Sequence, residues 1–293
     1  MELNFEKKVR YRTVDESKIE TGNSIVYKAQ DLEFNRTVCI KSIKINHEGS
    51  DSESEYSRAL LEIKALVSVA ELTAHVPVIH DVYYDKTTSR LYIVMQWING
   101  DTLEQKYPSI PPLVFLGFIE KLCNILEKLE YKQMSHKDIK PSNIIITPDD
   151  EVFLIDFNLT ISTPNQVEGT QNYKAPEMDA NSKSIARNKV DIFSVGVMMY
   201  EYFTGKIPVR GVHYAVQSRR RSTEWDVFVE PKEINPELDP CINELISRCM
   251  KLDPKQRYRD SRDLKRAIVS AERTIRNGNR HTCTAGRIQR GNK

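Results

Sequence analysis

Cysteine is scarce in this 293-residue chain and badly placed for bridging. Cys39, Cys123, Cys241, Cys249 and Cys283 are odd in number, widely scattered and free of any C-x-x-C pair. That argues against a disulfide framework and against a zinc knuckle. A reducing, cytoplasmic compartment is therefore expected. Long hydrophobic runs are missing as well. The most apolar stretch, VDIFSVGVMMYEYF, has about fourteen residues and carries Asp191 and Glu201. It is too short and too charged to span a bilayer, and it reads as a buried helix. The N-terminus, MELNFEKKVR, has no apolar core and is not a signal peptide, so no membrane segment is expected. Net charge is nearly absent, at +2, which gives no global pull toward nucleic acid. Acid is absent from one place, the stretch after Glu272, where Arg273, Arg276, Arg280, Arg287, Arg290 and Lys293 follow. Residues 273–293 are expected to be a basic, disordered tail; the other reading is an arm for an acidic partner, a membrane surface or RNA.

What is present suffices for a sizeable core: 40% of residues are apolar and 8% aromatic. No internal repeat is visible. KIETG, SIVYKAQD and TVCIKSIKI are short β-prone runs broken by turn residues. After the acidic connection NHEGSDSESE, the segment EYSRALLEIKALVSVAEL places Leu60, Leu61, Ile63, Leu66 and Val67 at a helical period. VIHDVYYD and RLYIVMQW then read as two more strands around the turn KTTS. Past INGD and PSIPP, a long helix is marked by the stripe Phe115, Phe118, Ile119, Leu122, Ile125, Leu126 and Leu129. The rest reads as helix and loop apart from one short hairpin. This gives a β-rich lobe over 1–95, a hinge over 96–100 and a larger helical lobe over 101–272.

One stretch is too polar for an ordinary loop. SHKDIKPSNIII, Ser135 to Ile146, sets His, two Lys, Asp and Asn against three isoleucines. Moving a phosphoryl group to a hydroxyl needs a proton acceptor, a nearby cation, oxygen ligands for magnesium and a rigid support. Asp138 can accept the proton, and Lys140 can neutralise the moving phosphate. Asn143 can offer an amide oxygen to Mg²⁺, which takes hard ligands. Ile144 to Ile146 can bury as a strand and fix the loop.

These residues have company. HKDIKPSN resembles the catalytic loop of the eukaryotic-type (Hanks-type) protein kinase family. LIDFN resembles its metal-binding D-F-G, GTQNYKAPE the end of its activation segment, VDIFSVGVMMYEYFTGKIP its central helix and KLDPKQR its closing segment. Together they cover roughly residues 15 to 272 in the family's order. The resemblance implies an α+β, bilobal protein-kinase-like fold, with one main helix in the small lobe. It implies a Ser/Thr kinase using ATP and Mg²⁺ on protein substrates with a Ser or Thr acceptor, with autophosphorylation as an open possibility and no specific nucleic-acid partner. Lys41 matches the lysine that holds the α- and β-phosphates, and Glu62 the helix glutamate paired with it. Asp156 matches the principal Mg²⁺ ligand beside Asn143. Gly22 falls in the nucleotide loop. Val26, Cys39 and Ile145 line the implied adenine pocket, with Met95 at its back and backbone groups near Gln96 and Ile98 for the base. His136 and Phe157 match packing positions. Glu177 and Arg257 match a buried ion pair, Asp191 matches the acid that holds the catalytic loop, and Thr170 is expected to bridge Asp138 and Lys140.

The departures are specific. IETGNSIV keeps only Gly22 of a glycine-rich loop, which implies a looser nucleotide grip. Asn158 replaces the glycine of D-F-G, and Lys137 replaces an arginine, keeping charge but losing the planar fork. Thr160, Ser162 and Thr163 are candidate phosphosites, and SRRRST, from Ser218, is a docking patch or a solvated loop. The reduced glycine loop and Asn158 support the alternative of a kinase-fold scaffold with weak or no transfer activity.

Overall fold

The computed structural model describes residues 2–5, 8–21, 24–45, 52–157, 170, 172–178, 187–208 and 229–278. The chain divides into two compact units, Met1–Asn99 and Gly100–Lys293.

The first unit is one antiparallel sheet and one helix. In chain order it has β1 (Glu2–Phe5), β2 (Lys8–Thr21), β3 (Ser24–Asp31), β4 (Arg36–Lys44), α1 (Ser52–Ala70), β5 (Ile79–Asp85) and β6 (Arg90–Gln96). The six strands are ordered β1-β2-β3-β4-β6-β5. Period-2 alternation gives the sheet two apolar faces. One gathers Tyr11, Ala29, Val38, Ile40, Tyr92 and Val94. The other gathers Ile45, Leu91 and Ile93 with Ala59 and Ile63 of α1. Turn chemistry closes the hairpins. Asn35 and Ser89 take positive φ, +48° and +54°. The fully buried Asp31 carboxylate accepts the N–H groups of Glu33 and Phe34 and pairs with Arg10 and Arg36. The sequence reading missed β1 and the first half of β2, although ELNF and KVRYR both alternate polar with apolar residues.

The second unit is mostly helical. After β7 (Asp101–Thr102) come the single turn α2 (Leu103–Lys106), α3 (Pro112–Tyr131), the hairpin strands β8 (Ile144–Ile146) and β9 (Val152–Leu154), and α4 (Arg187–Thr204). Then follow α5 (Pro231–Ile234), α6 (Pro240–Cys249) and α7 (Ser261–Gly278). All seven residues of the stripe expected on α3 are buried. The apolar run from Val190 is indeed a buried helix, with every residue from Val190 to Tyr200 inside. Among the described residues no helix is long and apolar enough to cross a membrane. Phe115 of α3 stacks on Tyr202 of α4 at 3.8 Å, and Tyr107 and Phe203 meet that pair edge-on. Helix α7 corrects the expected start of the tail: it stays helical through Gly278, because Ile268, Ala271 and Ile275 keep one face buried past Glu272. Residues 279–293 lie outside the described residues.

Candidate active site

The loop from Ser135 to Asn143 is held from below by α4. Asp191, the fifth residue of α4, is buried, and its two oxygens accept the backbone N–H groups of His136 (2.8 Å) and Lys137 (2.7 Å). Burial pushes this carboxyl up, while the two N–H groups pull it down. Lys137 takes φ +66° to make the bend. Pro141 opens a 3₁₀ turn over Pro141–Asn143, closed by Asn143 N–H to the Lys140 carbonyl at 3.0 Å. The loop then enters β8, which pairs with β7 on one side and β9 on the other. Ile155 N–H to the Asn143 carbonyl, at 2.9 Å, ties the far strand back to the loop.

Asp138 is the hub of this loop. Its Oδ1 accepts the Thr170 N–H (2.9 Å) and the Thr170 hydroxyl (2.8 Å). Its Oδ2 accepts the Asn143 amide (2.9 Å) and the Lys140 ammonium (2.9 Å). Lys140 Nζ also donates to Thr170 Oγ1 at 2.8 Å, so the threonine hydroxyl bridges Asp138 and Lys140. Burial would raise the Asp138 carboxyl, but the Lys140 charge and these bonds win and hold it below its usual value, hence ionised at neutral pH. The second Asn143 N–H goes to the Asp138 carbonyl at 2.9 Å. With both amide hydrogens spent on Asp138, the oxygen is the end of Asn143 turned elsewhere.

Asp156 follows β9 with φ +67°, a backbone conformation that Asp tolerates better than most residues. His136 packs edge-on against Phe157, with ring centroids 4.9 Å apart, and its Nε2 lies 3.1 Å from the Ile155 carbonyl. Burial keeps His136 neutral. Both residues are therefore packing rather than chemistry. Glu177 and Arg257 form a bidentate pair at 2.6 and 2.8 Å, with the arginine side chain fully buried. Beside it, Tyr173 donates to Glu201 at 2.6 Å and receives Ser194 Oγ on its carbonyl at 2.8 Å. Sequence reasoning missed these last two contacts. Nothing in the sequence marks them beyond the tyrosine of GTQNY.

In the first unit the expected residues fall on one surface. Val26 is the register partner of Lys41, and Cys39 of Met95, while Cys39 and Lys41 are two apart on β4. Cross-strand partners share a face, so all four side chains project from the side of the sheet that packs on α1. Lys41 is 8% exposed. Glu62 is half-buried and sits on the helix stripe Ala59, Leu66, Val69. The Gln96 N–H is engaged by the Val78 carbonyl at 2.8 Å, and Gln96 is also the register partner of Val38 on β4. Ile98 is buried, and in the second unit Ile145 is half-buried between Ile144 and Ile146.

The protein kinase domain model matches residues 15–267. This chain belongs to the protein kinase family. Among its relatives, a probable serine/threonine-protein kinase of Clostridium acetobutylicum is 31% identical over 268 residues, covering 87% of this chain and 39% of the relative. Another from Clostridium perfringens is 29% identical, covering 84% and 36%. The serine/threonine-protein kinase PrkC of Bacillus subtilis is 27% identical, covering 85% and 39%. The Hanks-type Ser/Thr assignment and the α+β kinase fold thus stand on both sequence and comparison. The chain spans about two fifths of the length of these relatives. Several kinase features lie outside the described residues: Gly22, Asn158, Thr160, Ser162, Thr163 and the patch from Ser218 to Thr223.

Proposed function

We propose that the chain transfers the γ-phosphoryl group of ATP to Ser or Thr hydroxyls of protein substrates, its own residues included. The observation that carries this reading is the ionised Asp138 carboxylate, which already accepts from a hydroxyl, Thr170, with the Lys140 ammonium beside it. In the transfer, the acceptor oxygen bonds the γ-phosphorus, the bond to the β-phosphate oxygen breaks, and the hydroxyl proton passes to Asp138. Lys140 offsets charge on the moving group. Lys41, oriented by Glu62, takes the α- and β-phosphates, with Gly22 in the loop over them. Val26, Cys39, Met95 and Ile145 supply apolar contacts to adenine, and backbone groups near Gln96 and Ile98 supply its hydrogen bonds.

The donor set fits magnesium. Asn143 has only its amide oxygen left to offer, and Asp156 adds a carboxylate. Mg²⁺ characteristically takes one or two such protein oxygens together with phosphates and water. When bound, the ion neutralises phosphate charge. The unit boundary between Asn99 and Gly100 supports the division into two lobes joined over residues 96–100. The odd number and wide scatter of the cysteines along the sequence support a reducing, cytoplasmic setting.

The test is transfer of labelled γ-phosphate from ATP with Mg²⁺ to a generic basic protein, beside Asp138→Asn. Incorporation should fall by about 10²–10⁴-fold in the variant. Equal labelling by both proteins would make the chain a scaffold, and label on a small metabolite would change the substrate class.

A further inference from the structure

Three described glycines differ sharply in what surrounds them. A Cβ on Gly117, within α3, would meet nothing within 4 Å. On Gly196, within α4, it would lie 2.5 Å from the Cys249 Cβ and 2.8 Å from the Met250 Cγ, a clash inside the α4–α6 packing. On Gly100 it would lie 2.4 Å from the Ile146 carbonyl oxygen, 2.9 Å from its carbon and 2.8 Å from the Ile145 Cγ2. Gly100 has no positive φ, so glycine serves space there and not conformation.

The partner at Gly100 cannot yield. Ile146 is fully buried, and its carbonyl belongs to β8, which is paired to Thr102 and Asp101 on one side and to β9 across three residues on the other. Just before β8, Asn143 is locked to Asp138 and to Ile155. A methyl at position 100 must therefore push away the peptide that carries it, residues 98–100, or drag β8 and Asn143 with it. The first movement displaces the backbone at Ile98, proposed to bond adenine, and the second displaces Ile145, proposed to touch it.

We infer that Gly100 is a positioning residue for ATP: the absent side chain lets the connecting peptide seat directly on the backbone of β8, and this holds in place the backbone proposed to bond adenine. The inference rests on the nucleotide reading above. It adds a requirement at a residue that bears no functional group.

The experiment compares wild type with Gly100→Ala, Gly196→Ala and Gly117→Ala, reading the Kd for ATP with Mg²⁺ by calorimetry, well below each protein's Tm. Gly100→Ala should weaken ATP binding roughly fivefold to tenfold, the loss of about one hydrogen bond. Gly196→Ala should lower Tm while keeping the wild-type Kd, and Gly117→Ala should keep both Kd and fold. A Gly100→Ala protein that loses Tm like Gly196→Ala yet binds ATP within about twofold of wild type, inside the factor expected when no hydrogen bond is lost, overturns the inference. Should Gly100→Ala not fold, amide hydrogen exchange on wild type serves: ATP should slow residues 96–102 and 144–146 together, and protection of only one segment counts against it. Because Kd does not depend on transfer, a wild type that binds ATP without phosphorylating anything sinks the proposed function and leaves this test intact. A wild type that binds no ATP sinks both.

Discussion

At the scale of single residues, the chemistry is concentrated where charge is compensated at short range. Asp138 spends its oxygens on Thr170, Asn143 and Lys140, and so it stays ionised in spite of burial. Arg257 is a different case. Its guanidinium is fully buried and bidentate to Glu177, and it also donates to the carbonyls of Lys251 and Lys189. Removing it strands a carboxylate only 13% exposed and, with Leu252 at 3.4 Å, three carbonyls at once. Arg257→Ala is expected to lose about 3–5 kcal/mol of stability in urea unfolding. Arg257→Lys should recover only part of this, since a point charge cannot span both carboxylate oxygens. A normal unfolding midpoint for Arg257→Ala would show that the pair is not a structural anchor.

Between elements, α3 and α7 are joined by contacts of unequal worth. Glu130, near the end of α3, is half-buried, and its carboxylate accepts the N–H of Ser261, the first residue of α7. This is a helix cap supplied from a neighbouring element, at the end where the macrodipole favours negative charge. Burial pushes the Glu130 carboxyl up, and the Ser261 N–H opposes that. Close by, Arg262 reaches Glu127 from an arginine 64% exposed to solvent. Glu130→Ala should cost about 1–2 kcal/mol, as cap losses do, and Arg262→Ala no more than about 0.5–1. Urea midpoints of the two variants, compared at equal slope, decide the order. Reversal would mean that the exposed pair, and not the cap, joins the helices.

For the whole molecule, pH reports how burial is distributed. His136 is neutral inside the fold because burial lowers its pKa below the ordinary 6.5. Its folded value is depressed, so the unfolded chain binds the extra proton, and stability present above about pH 6.5 is lost as pH falls. Asp138 acts in the same direction further down, below its ordinary 3.8. Asp191 and Glu130, both pushed up by burial, titrate the opposite way, but they are common to wild type and variant. His136→Phe should therefore flatten the slope of stability against pH just below 6.5, whatever its effect on absolute stability. An unchanged slope would mean that the imidazole takes up its proton inside the fold.

The sequence by itself determined the element types, the family and the composition of the transfer loop. These are local properties. Strand and helix periods are read over a few residues, and Asp138, Lys140 and Asn143 lie within one short stretch whose residue types have few other uses. The family resemblance named the distant partners, but only the tertiary structure gave their geometry: Thr170 on Asp138 across 32 positions, Asp191 on the Lys137 backbone across 54, Arg257 on Glu177 across 80. It alone set the register that puts Val26, Cys39, Lys41 and Met95 on one face, and the close approach that leaves Gly100 no room for a methyl. Such pairings depend on how faces pack and how strands align, and a one-residue shift would undo them without altering any local signal.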